Sequence, residues 1–227
     1  MITNDLSSAL YLAQWCISIS IFMLLFTERL FGTGHVSIKE KIRQEAMILF
    51  AEKGYSAVSM RQVATLAKVS VAGIYHHYPD KKALYLDAIR FAFSGKEDIF
   101  NTVWVMQCSP EKTLTLFIRA LFDVLLADRT FHRLMQYEIM EADGERLQLL
   151  AQSVFHQQFS LLIRLVQQLA PTQDAHLMAT TIIILVEGTL RAQPINRYFP
   201  GRKAEHDQVE VMAEHVTQVV LKALQAH

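Results

Sequence analysis

Apolar and polar positions alternate along most of this chain with the period of an α-helix. Strand-like alternation is scarce, and only eight glycines and five prolines interrupt the 227 residues. The first clear run ends at Gly54, a residue able to take the left-handed conformation that terminates a helix. Its apolar face consists of Ile38, Ile42, Ala46, Leu49 and Phe50. The pattern therefore predicts an all-α fold.

A short helix with sharply marked ends is predicted next. Ser59 is a good N-cap, and Gln62 three residues later completes a capping box. The helix from Met60 to Ala67 offers a small apolar face. Lys68-Val69 then makes a tight turn, so the chain starts a new helix almost at once.

The following helix is capped by Ser70 and runs to about Tyr78. Pro79 ends it, because the residue before a proline is disfavoured in the α conformation. Asp80 then caps a long helix that begins with Lys81. Two short helices joined by a tight turn form the unit that lays its second helix in the major groove of DNA.

At these residues the sequence resembles the N-terminal DNA-binding domain of TetR-type repressors, the TetR/AcrR family, over about residues 38–91. The matching elements are FAEKGY at 50–55, the cap Ser59, VATLAKVS at 63–70 and IYHHYPDKKAL at 74–84. The resemblance implies an N-terminal three-helix helix-turn-helix domain followed by a C-terminal helical ligand-binding and dimerisation domain. Repression rather than activation is implied by the resemblance alone.

The resemblance also implies which residues contact DNA. The recognition helix would contribute Val71, Ala72, Gly73, Tyr75, His76 and His77. Phosphate contacts are implied for Ser59, Arg61 and Lys81, and we add Ser70 and Lys82 at the starts of their helices. Lys82 stands where the family has a glutamate, which would strengthen phosphate binding. Tyr78 stands where the family has a buried phenylalanine, so its hydroxyl needs a partner.

A plain helical hairpin in which Gly73 is merely tolerated is the alternative interpretation. Glycine in a helix costs about 1 kcal/mol relative to alanine, so Gly73 favours a steric demand such as close approach to phosphates. Charge also favours DNA binding: residues 35–92 carry nine Lys and Arg against five Asp and Glu, whereas residues 93–227 carry twelve against fifteen. A basic head on a slightly acidic body is typical of a protein that binds DNA at one end.

Three regions are predicted: an apolar N-terminal extension at 1–35, the DNA-binding domain at 36–92, called the head below, and a helical domain at 93–227, called the body. Prolines, glycines and N-cap residues divide the body into helices. The predicted helices span residues 110–127, 129–142, 144–169, 176–191 and 205–226, with a loop at 193–203.

The last two helices, about 176–191 and 205–226, carry more apolar surface than one subunit can plausibly cover. That excess predicts a homodimer seam; burial within the monomer is the alternative. A dimer also suits a double-stranded DNA operator with near-palindromic half-sites, because two heads must reach successive major grooves about 34–36 Å apart.

An inducer pocket among the middle helices is implied by the resemblance. Glu187 interrupts an apolar run, and three roles stay open for it: the dimer seam, an ion pair with Arg191, or the pocket lining. The aromatic candidates fit a core better than a ligand cage, and the polar ones fit the surface as well as a pocket. The candidates for an unknown small-molecule inducer are Arg119, His132, Arg133, Gln136, Tyr137, Phe155, Phe159 and Glu187.

The sequence carries no catalytic motif, and its nine histidines lack the spacing of a metal site. Cys16 and Cys108 are too few and too far apart for a disulfide framework or a zinc cluster. We therefore expect no enzymatic activity, no metal and no cofactor.

The N-terminal extension contains eighteen residues without a charge, 9–26. They would span about 27 Å as a helix, just enough for a membrane. The first hypothesis is a cytoplasmic regulator in which Val36 is a GTG start decoded as methionine and residues 1–35 are a translated leader, or in which these residues are a non-essential extension. The alternative is a regulator anchored in the inner membrane through residues 9–26.

Overall fold

The computed structural model describes residues 37–94 and 96–225, and within them it contains helices and no strand. The all-α prediction is confirmed. Eleven α-helices follow one another in the described residues: α1 Ile38–Lys53, α2 Met60–Ala67, α3 Val71–His77, α4 Lys81–Phe93, α5 Lys96–Val105, α6 Pro110–Ala127, α7 Arg129–Glu141, α8 Gly144–Leu150, α9 His156–Leu169, α10 Ala175–Asn196 and α11 Val209–Gln225.

The helix ends of the head follow the predicted local chemistry. The Ser59 hydroxyl accepts from the Gln62 N–H at 3.3 Å, and the Gln62 side chain accepts from the Ser59 N–H at 2.7 Å. Lys68 takes a left-handed φ of 56° between α2 and α3. Asp80 accepts from the Ala83 N–H at 2.7 Å and so starts α4. The capping box, the turn and the helix starts are confirmed.

The body is organised around α6, which packs against α5, α7, α9, α10 and α11. Ser109 caps α6 and Pro110 is its first residue, as predicted. Its inner face buries Leu114, Ile118 and Phe122 completely. Because so many helices meet on α6, it forms the central support of the body.

Helix breaks in the body differ from the predictions at two places. The helix beginning at Lys81 ends at Phe93, and α5 is a separate helix that was not predicted. The predicted helix at 144–169 is interrupted by a π-helical segment, Ala151–Phe155. There the Ser153 hydroxyl donates to the Leu149 carbonyl at 2.6 Å, and such side-chain bonds compete with the helix ladder.

The last two helices also end differently from the prediction. α10 continues through Pro194 to Asn196, into the residues predicted as a loop. Proline removes only one donor from this last turn, and the chain closes beyond it with a bond from the Tyr198 N–H to the Ile195 carbonyl at 3.0 Å. The predicted helix at 205–226 starts as a 3-10 turn, Ala204–Asp207, before α11 begins.

The predicted extension at 1–35, including the candidate membrane segment 9–26, lies outside the described residues. Among the residues that the structure describes, α10 is the helix long and apolar enough to cross a membrane, a test that core helices of soluble proteins also pass. The predicted boundary between residues 92 and 93 falls at the last turn of α4 and stays a prediction.

Candidate DNA interface and ligand cavity

Helix α3 presents most of its surface outward. Of its residues only Ile74 is fully buried, and its side chain anchors the helix to the head. Val71, Ala72, Tyr75 and His76 are exposed, while Gly73 and His77 are half-buried. These exposed side chains, together with the exposed Arg61 of α2, are called the DNA face below. A helix this short that buries one residue has its outer face available for a partner.

The structure provides a steric reason for Gly73 within its own helix turn. The Gly73 N–H donates to the Ser70 hydroxyl at 3.0 Å, which caps α3. A Cβ at Gly73 would lie 3.3 Å from that hydroxyl, which is tighter than an ordinary contact. The close approach of the Ser70 hydroxyl is therefore one reason why a residue without a Cβ suits position 73.

The two lysines at the start of α4 have different surroundings. The Lys81 ammonium lies 4.2 Å from the centre of the Tyr55 ring and donates to the Ser56 carbonyl at 3.4 Å. Burial lowers the pKa of Lys81, partly opposed by Glu141. Lys82 forms an ion pair with Glu145 of α8. The charge of Lys82 is therefore already matched by the body.

Tyr78 has the partner that its hydroxyl was predicted to need. The Tyr78 hydroxyl at the end of α3 donates to the carboxylate of Asp87 in α4 at 2.7 Å. Burial and this hydrogen bond both raise the pKa of Tyr78. The ring keeps the buried place of a phenylalanine, and Asp87 accommodates the extra oxygen.

A polar network with a buried centre joins the head to the body and is called the junction network. It consists of Tyr55, Ser56, Tyr85, Glu138, Glu141 and Arg146, of which Tyr85, Glu138 and Arg146 are buried. Arg146 is 5% exposed and Glu138 is 2% exposed. The Arg146 Nε donates to Glu138 at 3.1 Å, and its Nη2 donates to Glu141 at 2.8 Å. The Tyr85 hydroxyl donates to the second oxygen of Glu138 at 2.6 Å. The buried charges are thus paired and hydrogen-bonded.

The head side of the network is equally well satisfied. Glu141 accepts from the Ser56 N–H at 3.0 Å and from its hydroxyl at 3.1 Å, and the Arg146 guanidinium lies 4.0 Å from the centre of the Tyr55 ring. A Cβ at Gly54 would lie 2.8 Å from the Glu141 Oε1, and Gly54 has a φ of +76°. Glycine is therefore required there by the backbone and by the network.

A partly open apolar cavity of about 330 Å³ lies in the body. It is bordered by the end of α4, by α5 to α7, by the π-helical segment and by α9 and α10, and its lining residues Ile139 and Ile184 are also exposed to solvent. Three of its lining residues are polar, and the rest are aromatic or aliphatic. The lining residues are Phe93, Phe100, Phe117, Leu121, Val124, Leu125, Phe131, Met135, Ile139, Phe155, Gln158, Phe159, Leu162, Thr180, Ile183, Ile184 and Glu187.

Three of the predicted ligand residues line this cavity: Phe155, Phe159 and Glu187. Glu187 combines two of the roles left open for it, because it also lies 3.3 Å from His132 and accepts from Arg191 at 3.4 Å. The helical ion pair and the cavity lining are therefore compatible.

The other five predicted ligand residues do not line this cavity. Arg119 pairs with Glu210 at 2.5 Å, and the Tyr137 hydroxyl donates to the Glu52 carbonyl at 3.1 Å. Arg133 is exposed. His132 and Gln136 lie behind Glu187, with a nitrogen of each 3.2 Å apart. Helical spacing did not reveal which face of α7 turns inward.

Sequence reasoning missed Gln158, a buried residue of the lining. It accepts from the Trp104 indole N–H at 2.6 Å and donates to Asn101 at 3.2 Å, so it ties α9 to α5. Its partners lie more than fifty residues away in the chain, and no local pattern indicates them. Within residues 37–94 and 96–225 no three His, Cys, Asp or Glu side chains cluster as a metal site would require.

Comparison with known families finds a match within the head. A sequence model of the family described as "Bacterial regulatory proteins, tetR family" matches residues 42–88. That span covers α2 and α3 and most of α1 and α4, which together form the head.

Two curated proteins resemble the N-terminal part of this chain. The "Probable HTH-type transcriptional regulator YttP" of Bacillus subtilis is 28% identical over 106 residues, 47% of this chain and 51% of that protein. The biofilm operon negative transcriptional regulator IcaR of Staphylococcus aureus is 30% identical over 69 residues, 30% of this chain and 35% of that protein. The matches span about half or less of these relatives, and both are named as transcriptional regulators.

A solved structure extends the likeness to the fold of both domains. The transcriptional regulator FadR from Bacillus subtilis, in complex with stearoyl-CoA, has a TM-score of 0.65 at 16% identity, covering 80% of this chain and 96% of that one. A likeness at this low identity shows the fold alone.

The expectation that the chain lacks enzymatic activity stays a prediction, although the reported relatives are regulators.

Proposed function

The chain belongs to the TetR family of bacterial regulatory proteins, and on that premise we propose that it is a ligand-responsive transcriptional repressor. It binds a near-palindromic DNA operator as a homodimer and releases it when a small molecule enters the body. The observation that carries the proposal is α3, which buries only Ile74 and leaves the DNA face open to solvent.

The DNA face and the residues beside it would make two kinds of contact with DNA. Val71, Ala72, Tyr75 and His76 are the exposed side chains of α3 and read base edges, while Gly73 and His77 stand at the margin of that surface. Phosphates are held by Ser59, Ser70, Arg61 and Lys81. Lys82 reaches a phosphate only when it leaves Glu145, so its contribution is smaller than the sequence suggested.

A stripe of exposed residues along α10 supports the homodimer. Leu177, Thr181, Ile184 and Gly188 follow one another at helical spacing and are all exposed, with Leu177 at 63% and Ile184 at 60%. Exposed aliphatic side chains beside a glycine suit the close, self-complementary approach of two identical helices. A second copy of this chain is the proposed occupant, and α10 and α11 are the proposed seam.

Sedimentation of purified protein tests the seam. Leu177→Glu places a charge in the stripe and is expected to yield monomers at concentrations where the wild type is dimeric. Val105→Glu, which charges an exposed apolar residue of α5, is the matched control and should leave the dimer intact. A Leu177→Glu protein that sediments as a dimer contradicts this seam.

Helix α4 connects the DNA face to the cavity. It begins at Lys81 beside the DNA face and ends at Phe93, which lines the cavity. Thirteen residues of α-helix span about 20 Å, so a shift at one end is carried to the other. A ligand that displaces Phe93 would change the spacing of the two heads and weaken operator binding.

Selection of bound fragments from the host genome tests DNA recognition. We expect a near-palindromic site with half-sites one helical turn apart, bound by the wild type. Tyr75→Ala and His76→Ala should lose discrimination between that site and random DNA, because both remove side chains of the DNA face. Val105→Ala is the control outside the head. Discrimination between that site and random DNA that is unchanged in both head variants would contradict the proposal.

A cytoplasmic location, where DNA is reached, is part of the proposal. The alternative of an inner-membrane regulator rests on residues 9–26, outside the described residues, and the relatives reported above give it no support. Fractionation distinguishes the two: the proposal expects the protein in the soluble fraction, and a membrane pellet resistant to salt favours the anchor.

A further inference from the structure

The cavity offers an incoming molecule no positive charge. Its polar lining residues are Gln158, Thr180 and Glu187, and no lysine or arginine is among the described residues that line it. The amide of Gln158 is engaged at both ends by Trp104 and Asn101. The charge of the lining therefore comes from Glu187.

Glu187 carries that charge at neutral pH. Burial raises the pKa of Glu187, and the hydrogen bonds from His132 and Arg191 outweigh it and leave the pKa below its ordinary value. The Glu187 side chain is 13% exposed, whereas that of Arg191 is 56% exposed. Both partners, His132 with a 15% exposed side chain and Arg191, lie outside the cavity lining, so Glu187 is the charged side chain that the described lining presents to a ligand.

A cation beside the aromatic lining, Lys96, is already paired with a carboxylate. The Lys96 ammonium lies 5.0 Å from the centre of the Phe131 ring and 2.8 Å from the Asp128 carboxylate. An anionic ligand would thus meet the Glu187 carboxylate, while the partners of Glu187, His132 and Arg191, lie outside the lining. A cationic ligand would meet a carboxylate and the faces of several phenylalanine rings, both of which attract positive charge.

We propose that the cavity binds a hydrophobic cation, an amine or quaternary ammonium compound with an apolar body, whose charged group pairs with Glu187. This inference rests on the proposed function and names the chemical class of its effector. The cavity volume of about 330 Å³ lies within the range of small-molecule pockets, roughly 300–1,000 Å³. The stearoyl-CoA bound to FadR does not indicate an anionic ligand for this chain, because at 16% identity the two proteins are alike in fold alone.

Equilibrium dialysis of the full chain compares three charges on one apolar tail. The probes are n-decyltrimethylammonium, n-decanesulfonate and n-decanol, each below its micellar concentration. We expect the ammonium compound to bind tightest. Glu187→Gln should weaken it about tenfold, equivalent to about 1.4 kcal/mol, and leave the binding of decanol unchanged, since the cavity keeps its shape.

Two further variants separate charge from shape. Glu187→Asp keeps the charge and should keep the preference for the cation, even if its shorter side chain weakens binding overall. Glu111→Gln removes an exposed carboxylate from the first turn of α6 and should change none of the three affinities. Equal binding of sulfonate and ammonium by the wild type overturns the proposal, as does an unchanged ratio of ammonium to decanol affinity in Glu187→Gln.

DNA binding is measured separately, by gel shift on a selected genomic fragment. A chain that binds the fragment but prefers the sulfonate overturns the ligand class and leaves the proposed function standing. A chain that prefers the ammonium but binds no genomic fragment overturns the proposed function and leaves the cavity assignment standing.

Discussion

The junction network and the cavity lining both include residues of α4, but the interactions in the two regions differ in kind. At the junction, Tyr85 of α4 donates to Glu138 within a set of directional, buried hydrogen bonds and ion pairs. At the cavity, Phe93 of the same helix meets aromatic rings through contacts without fixed direction. Directional bonds permit one arrangement, whereas an incompletely filled apolar space permits several.

The difference indicates how a single helix can be both anchored and responsive. The junction network fixes the head on the body near the middle of α4, because loss of Glu138 would deprive the buried Arg146 and the Tyr85 hydroxyl of a partner. The last turn of α4 borders the cavity, where a ligand can displace side chains at lower cost. We expect substitutions in the two regions to differ accordingly in size and in kind.

The largest effect is expected from Glu138→Gln. It leaves Arg146 buried with one charged partner fewer, and removing one member of a buried pair costs about 3–5 kcal/mol. Urea unfolding at fixed protein concentration measures it, since the stability of the proposed dimer would depend on concentration. Glu145→Gln, a carboxylate with a 76% exposed side chain, is the control and should cost less than about 1 kcal/mol. Equal losses would show that the junction network is not the rigid region.

A smaller loss, about 2 kcal/mol, is expected from Phe159→Ala in the cavity lining. One side of this ring already faces empty space, so truncation forfeits fewer contacts than in a filled core. Phe122→Ala, fully buried on α6 outside the lining, should cost about 3–5 kcal/mol. Unfolding curves of the two variants give the comparison, and a larger loss at Phe159 would mean that the cavity is not a loosely packed region.

Tyr78→Phe restores the family's usual residue and is expected to cost about 1 kcal/mol at neutral pH, because Asp87 loses a donor. The pKa of Tyr78 is raised above its ordinary value of 10.0. The stabilisation is therefore fully present below about pH 10 and is lost as the pH rises further, since the unfolded chain releases the proton first. The difference in unfolding free energy between wild type and variant should shrink above about pH 10. A difference that grows there contradicts the assignment.

The smallest effects are expected at the two lysines of α4. Lys81→Ala should weaken DNA binding at all sequences and reduce the slope of log affinity against log salt by about 1. Lys82→Ala should change the slope less, because Lys82 is already paired with Glu145. Fluorescence anisotropy over a salt series measures both, and a larger change for Lys82 would reverse this ranking.

Much of the head could be predicted because its helix ends are local. Ser59 with Gln62, Ser70 with Gly73 and Asp80 with Ala83 lie three residues apart, so sequence spacing alone brings donor and acceptor together. The same holds for the caps of α6 and α7, Ser109 and Asp128. The start of α5 and the π-helical segment could not be predicted, since tertiary packing competes there with local preference.

The candidate sites divide in the same way. The DNA face follows from motif and spacing, and its contacts with DNA remain predictions. The cavity lining was predicted at Phe155, Phe159 and Glu187 only, because the inward face of α7 and the contribution of α5 depend on how distant helices pack. Gln158 of α9 binds Trp104 and Asn101 of α5, and Arg146 contacts the Tyr55 ring of the head. The sequence pattern indicates none of these partners.

The sequence by itself determined the all-α fold, the helix-turn-helix and its caps, and the resemblance to a family of DNA-binding regulators, since these depend on contacts within a few residues. The tertiary structure alone decided that Lys82 is matched by Glu145, that Arg146 is buried between Glu138 and Tyr55, and that Glu187 faces an apolar cavity. The physical reason is that burial and charge pairing depend on residues far apart in the chain, which only the packing of the helices brings within reach.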